Sequence, residues 1–236
     1  MKYLQAVQQL LIDVQDQQAA IERAAAIAVQ AIRNGGILQL FGCGHSQLIA
    51  QEGFYRAGGL ACVKPISIEP LMLHSGALSS SQNEKQLTHF EAYWAEVNLQ
   101  QHDVLFVIST SGRNAVPIEF AKRAQQQGIP VITLQSLHYK EQTSRHPSGQ
   151  RLEDVSDVVI DTKVPVGDGA ITTDAGQFGP VSTVIAASLL NELFVAVIDE
   201  LQQHNEALPI FESANVKSDS ASNEHWLAHY RNRIQF

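Results

Sequence analysis

The stretch Asp103-Val104-Leu105-Phe106-Val107-Ile108-Ser109-Thr110-Ser111-Gly112-Arg113-Asn114 decides the fold. Its apolar, β-branched first half reads as a buried strand, and the hydroxyl and glycine run that follows turns directly into a helix through Gln127. Gly128-Ile129-Pro130 then leads into a second strand, Val131 to Leu134. A strand, loop, helix, strand succession of this length is the unit of a parallel sheet.

The same grammar extends in both directions. Upstream, Ile37 to Phe41 is a short apolar run entering Gly42-Cys43-Gly44-His45-Ser46, after which Leu48 to Arg56 reads as helix. Leu60 to Ile68 is a further strand, placed near an edge by Pro65. Ser75 to Gln86 reads as a polar stretch, followed by a helix from Leu87 to Leu99. Downstream, Val155 to Asp161 is another strand, and the segments 136–154 and 165–180 read as long loops of the kind that often carry function. Apolar steps of three and four from Leu4 to Ile32 predict amphipathic helix over residues 1–33, and a long helix runs from Val181 to about Asn205. No repeat or linker divides the chain. It reads as one α/β domain over 1–236: an N-terminal helical segment (1–34), a core (36–205) and a C-terminal tail (206–236).

Composition narrows the partners. Among 236 residues, 16 Lys and Arg stand against 24 Asp and Glu, a net charge of −8 that disfavours nucleic acid and anionic membrane surfaces. Some 35 residues before the first strand, without a basic recognition helix, supply no DNA-binding module. The apolar helix after Val181 is interrupted by Ser182, Asn191 and Glu192, so it reads as buried and not membrane-spanning. No leader-like run is visible at the N-terminus, and two cysteines, Cys43 and Cys62, make neither a disulfide framework nor a zinc site. These features predict a cytoplasmic protein.

Two strands thus end in small, hydroxyl-bearing loops that open helices. Glycine admits close approach, helix-start amides point outward, and hydroxyls add donors, which together suit a phosphate. A dinucleotide site fails at the third glycine position, Gln47, and no P-loop pattern is present. A phosphorylated small molecule remains.

Gly42-x-Gly44-x-Ser46 and Ile108-Ser109-Thr110-Ser111-Gly112-x-Asn114, each closing a strand, resemble the sugar isomerase (SIS) domain family over roughly 36–205. Glu52-x-Phe54-Tyr55-Arg56-Ala57-Gly58-Gly59, Ser144-Arg145-His146-Pro147-Ser148-Gly149 and Gly179-Pro180-Val181-Ser182-Thr183-Val184 are similar to a smaller group of stand-alone SIS proteins often called UPF0309. The resemblance implies a three-layer α/β sandwich with a parallel sheet flanked by helices. It implies a sugar phosphate held by Gly44, His45, Ser46, Ser109, Thr110, Ser111, Gly112 and Asn114, with no metal and no cofactor, and a homodimer or higher homo-oligomer.

Aldose-ketose isomerisation needs a base and a proton-handling partner. Glu52, on the helix behind the first loop, is the first candidate for base, with an exposed pair to Arg56 as the plain alternative. Glu69 and His74 follow the second strand, and His146 lies in the 144–149 loop; each is a candidate acid or base, or simply a solvated loop residue. Asp168, Thr172, Thr173 and Asp174 are candidates for a lid or a turn. His225 and His229, four apart, lack a third metal ligand and read as a solvated helix face. Cys43 reads as a small residue in a tight turn. The expectation is a phosphosugar isomerase acting on a sugar phosphate or amino-sugar phosphate. A non-catalytic phosphosugar sensor and a phosphosugar etherase or lyase are the alternatives.

Overall fold

The computed structural model describes residues 1–216 and 221–236; within the C-terminal tail, 217–220 lie outside the described residues. Five parallel strands form the central sheet: β1 (Leu38–Gly42), β2 (Val63–Ile66), β3 (Val104–Ile108), β4 (Val131–Gln135) and β5 (Val158–Asp161), in the order β2-β1-β3-β4-β5. Pro65 lies within β2, opposite Leu40, and β2 is an edge strand, where a missing N–H does least harm.

Alternation along the strands sorts side chains to two faces. Leu38 and Leu40, Val104 and Phe106, Ile132 and Leu134, and Val158 and Ile160 pack on one face against α2 (Gln18–Arg33), α3 (His45–Glu52) and α7 (Ser182–Gln203). Phe41, Leu105, Val107 and Val131 pack on the other against α5 (Phe90–Ala95) and α6 (Ala115–Gln126), with Phe41 and Phe120 stacked at 3.8 Å between ring centroids. Helices on both faces make the three-layer sandwich. Gln39 breaks the apolar pattern inside the sheet, but its amide donates to the buried Asp103 and to the Asn98 carbonyl, both at 2.8 Å. Arg233 from the C-terminal segment reaches the same Asp103 at 2.7 Å.

Four segments differ from the reading of the sequence. The N-terminal helix is broken into α1 (Lys2–Asp13) and α2 by a 3-10 turn at Val14–Gln17, where Gln17 Oε1 accepts from the Asp161 amide at the end of β5. The polar stretch after β2 contains a helix, α4 (Ala77–Asn83), folded by burial of Ser80, whose hydroxyl donates to Leu71 O. Regular helix between Leu87 and Leu99 is confined to α5. The 165–180 loop is a hairpin, β6 (Gly169–Thr173) and β7 (Gly176–Pro180), packed on α1 through Tyr3 Oη, which donates to Pro180 O. Its glycines disguised it, since they are poor strand formers. The chain closes with α8 (Ala221–Tyr230). No helix among the described residues is long and apolar enough to cross a membrane.

Candidate phosphosugar site

Strand order places β1 between β2 and β3, so the chain winds away from β1 in opposite senses on its two sides. The loops leaving β1 and β3 diverge there, which opens a crevice at the carboxyl ends of the strands. A cavity of about 380 Å³ fills it, lined by Cys43, Gly44, His45 and Ser46 from the first loop and by Ser109, Thr110, Ser111 and Asn114 from the second. Leu73, Ala77, Ser80, Ser81 and Glu84, from the segment carrying α4, form the remaining wall.

The second loop faces the cavity with donors because its acceptors are occupied behind it. Ser109 O accepts from the Gly112 amide, Thr110 O from Ser136 N, Gly112 O from Leu152 N and Arg113 O from Arg145 N. Ser111 O accepts from Arg151 Nη2 at 2.7 Å. Among the described residues, no hydrogen bond engages the amides of Thr110 and Ser111 or the hydroxyls of Ser46, Ser109 and Ser111. Gly112 makes this geometry possible: its φ is +58°, and a Cβ there would stand 2.3 Å from Gln135 Oε1. Gly44 is likewise left-handed, at +56°, where its amide donates to Leu71 O.

Glu84 is the one carboxylate on the lining, and the sequence reading missed it. Its main-chain carbonyl accepts from Val116 N at 3.0 Å, fixing it to the first turn of α6, and its side chain accepts from Asn114. Burial raises its pKa above the ordinary carboxylate range; the Asn114 hydrogen bond and the charges of Lys85 and Arg145 oppose that rise. Asn114 is therefore set between two charged groups as well as part of the wall, because its Oδ1 accepts from Arg145 Nη1 while its side chain favours the ionised form of Glu84. The only hint in the sequence was Glu84 following Ser79-Ser80-Ser81-Gln82-Asn83, a pattern that any solvated turn would share.

The four acid-base candidates lie elsewhere within their own chain. Glu52 is absent from the lining and pairs with Arg56 one helical turn on, the plain alternative foreseen for it. Glu69 is exposed, accepts from Ser75 Oγ at 2.7 Å, and stands 3.5 Å from the exposed His74. The Ser75 hydrogen bond and the nearby imidazole lower the Glu69 pKa. His146 is buried, its Nε2 2.8 Å from Glu119 Oε2 and its Nδ1 2.8 Å from Ser148 Oγ. Glu52 is suggested by its helix behind the first loop, Glu69 and His74 by their place after the second strand and His146 by the 144–149 loop of the resemblance, but each side chain turns to a local partner.

The lid candidates also separate. Asp168 Oδ1 accepts from the Val181 and Ser182 amides at 3.1 and 2.7 Å, and Oδ2 from Ser182 Oγ at 2.8 Å, so Asp168 caps α7. Thr172, Thr173 and Asp174 sit on the exposed hairpin, off the cavity. The Cys43 thiol is buried on the lining, and desolvation, with the Glu84 charge adding, holds its pKa well above that of a free thiol. His225 and His229 face each other on α8 at 6.2 Å between centroids, and no group of three or more metal-ligating side chains occurs among the described residues.

The SIS domain profile matches residues 2–136. A UPF0309 protein from the nagA 3' region of Lysinibacillus sphaericus is 48% identical over 235 residues, covering 99% of this chain and 97% of that protein. A UPF0309 protein of Halalkalibacterium halodurans is 41% identical over 236 residues, covering 98% of this chain and 94% of its own. Among solved structures, a phosphoheptose isomerase from Francisella tularensis shares the fold, with a TM-score of 0.53 and 20% identity over 83% of this chain and 94% of that one. A profile matching more than half the chain and relatives aligned along nearly all of it agree with the strand order and the paired loops: the chain belongs to the SIS domain family, among its UPF0309 proteins.

Proposed function

We propose that the cavity binds a sugar phosphate and that Glu84 moves a proton between adjacent sugar carbons, making the protein a phosphosugar isomerase. The observation that carries this reading is the opposition of two chemistries across one small cavity: unengaged amides and hydroxyls on the β1 and β3 loops, and a single half-buried carboxylate on the facing wall. A phosphate dianion is satisfied by such donors without a basic side chain. Its sugar then extends toward Glu84.

In an aldose-ketose conversion the ionised carboxylate takes a proton from the carbon beside the carbonyl and returns it to the former carbonyl carbon, while one proton passes between the two oxygens. Burial makes Glu84 a stronger base than a solvated glutamate, and Asn114 beside it favours its ionised form. His45 is the other titratable group on the lining besides Cys43, with no hydrogen bond to its ring among the described residues, and an imidazole suits the transfer between oxygens. A homodimer belongs to the same proposal: Leu4 and Ile12 of α1 remain half-exposed, as a face awaiting a second copy would be.

The test is incubation with hexose, pentose and amino-sugar phosphates in deuterated water, read by NMR and mass spectrometry. Deuterium entering C1 or C2 of one sugar, lost in Glu84→Gln, supports the isomerase. Binding without exchange makes the protein a sensor. Ser109→Ala and Ser111→Ala are each expected to weaken binding at least tenfold, and unchanged affinity would overturn the phosphate assignment.

A further inference from the structure

Arginines in this acidic chain generally meet carboxylates: Arg33 meets Glu206, Arg123 meets Glu119 and Glu91, Arg151 meets Glu153 at 2.6 Å, and Arg233 meets Asp103. Four do not, and of these Arg23 and Arg231 are exposed without a side-chain hydrogen bond among the described residues; the other two are Arg113 and Arg145. Both are held in place, yet only by neutral oxygens: Arg113 Nη1 donates to Gln142 Oε1 at 2.7 Å, and Arg145 Nη1 to Asn114 Oδ1. Among the described residues neither has a carboxylate at ion-pair distance. Arg113 Nε is buried without an acceptor. The two residues are also forced together, since Arg145 N donates to Arg113 O at 2.8 Å.

Their loop is built to keep them there. Ser144 Oγ donates to Gln150 O, the His146 amide donates back to Ser144 Oγ, and the buried His146 ring is tied to Glu119 of α6. Burial, and then the facing charges of Arg145 and Arg151, push the Arg113 pKa down, the sign of a guanidinium confined beside others. Orienting Asn114 accounts for one bond of Arg145. It accounts for nothing about Arg113, and a neutral donor would serve equally well.

We infer that Arg113 and Arg145 form a subsite for a second anionic group of the ligand, so that the preferred phosphosugar also bears a carboxylate or a second phosphate. Guanidinium forks match both groups in geometry, and two of them left without carboxylates retain the charge to use on a ligand. Neither arginine lines the cavity itself; the exposed Arg145 stands at its edge, donating to Asn114 on the lining and acting with its charge on Glu84. A sugar anchored by its phosphate on the Ser109–Ser111 loop, and long enough to extend past Glu84 and beyond the lining at Asn114, would present its other end to this pair. The inference rests on the phosphosugar reading of the cavity.

The experiment is calorimetric titration of four probes: fructose 6-phosphate, glucose 6-phosphate, fructose 1,6-bisphosphate and 6-phosphogluconate. The expected result is that at least one doubly anionic probe binds about tenfold more tightly than its singly phosphorylated counterpart. Arg113→Gln and Arg145→Gln should each reduce that ratio to about two or less, whereas Arg231→Gln, at a solvated arginine on the C-terminal segment, should not. Which probe gains identifies the second group as carboxylate or phosphate. If all four bind equally and depend on Ser109 and Ser111, the second subsite is wrong and the phosphosugar site stands. If no probe binds, or binding survives both serine substitutions, the site reading fails and takes the subsite with it.

Discussion

Asn114 occupies the N-cap position of α6 without capping it, and Glu84 takes over that role with its main-chain carbonyl while receiving the Asn114 side-chain amide on its carboxylate. Glu84 is thus tied to the start of α6 through Val116 and to the site through Asn114. Fold and candidate chemistry meet at this pair.

Because burial raises the Glu84 pKa in the folded state, Glu84 contributes stability below its unfolded value of about 4.5 and loses it as pH rises through the folded value. Glu84→Gln removes that loss. The variant should therefore be more stable than the parent in urea at pH 7.5, nearly equal to it at pH 4, and without isotope exchange at any pH.

Asn114→Ala removes a donor from the ionised form of Glu84, so the Glu84 pKa should rise further. The acidic limb of the kcat/KM profile then moves to higher pH. Helix α6 should survive, because the Asn114 side chain makes no capping bond. An unmoved limb would show that a group other than Glu84 sets it.

Asp168→Ala leaves the first amides of α7 without their acceptor and should lower the unfolding free energy by about 1–2 kcal/mol in urea titrations. Asp168→Asn should recover part of this. Sugar-phosphate affinity of the folded variant should stay within about threefold of the parent, whereas a lid residue would lose more.

His146→Ala takes a hydrogen-bond partner from Glu119, which keeps Arg123, and empties a buried ring site, and should cost about 1–3 kcal/mol. The loss belongs in the denaturation midpoint. A variant of unchanged stability with its isotope exchange abolished would restore His146 as an acid-base residue.

Gly112→Ala forces a Cβ into a left-handed residue against Gln135 and should cost roughly 1–2 kcal/mol. Sugar-phosphate affinity should fall at least tenfold, because the Thr110 and Ser111 amides shift with the loop.

The strands were legible because burial on both faces requires continuous apolar runs, and Val104 to Ile108 is one. Pro65 marked its strand as an edge for a local reason, the absent N–H. The loops closing β1 and β3 were legible on a local ground: Gly42 closes on Ser46, and Gly44 and Gly112 supply the left-handed residues of their turns. Helix α4 and the 169–180 hairpin were not, because Ser79 to Asn83 and the glycines of the hairpin are weak formers that become regular only through distant support, from Leu71 O in one case and Tyr3 in the other.

The sequence by itself determined the parallel α/β sandwich and the two glycine- and hydroxyl-bearing loops that close β1 and β3, since these follow from local periodicity and turn chemistry. Only the tertiary structure decided which acid faces those loops. Glu52 is six residues from Ser46, yet helix geometry turns it toward Arg56; Glu84 is 38 positions away, and the Val116 and Asn114 bonds bring it to the cavity wall. A side chain's chemistry depends on its neighbours in space and on its desolvation, and both are set by packing between segments far apart in the chain.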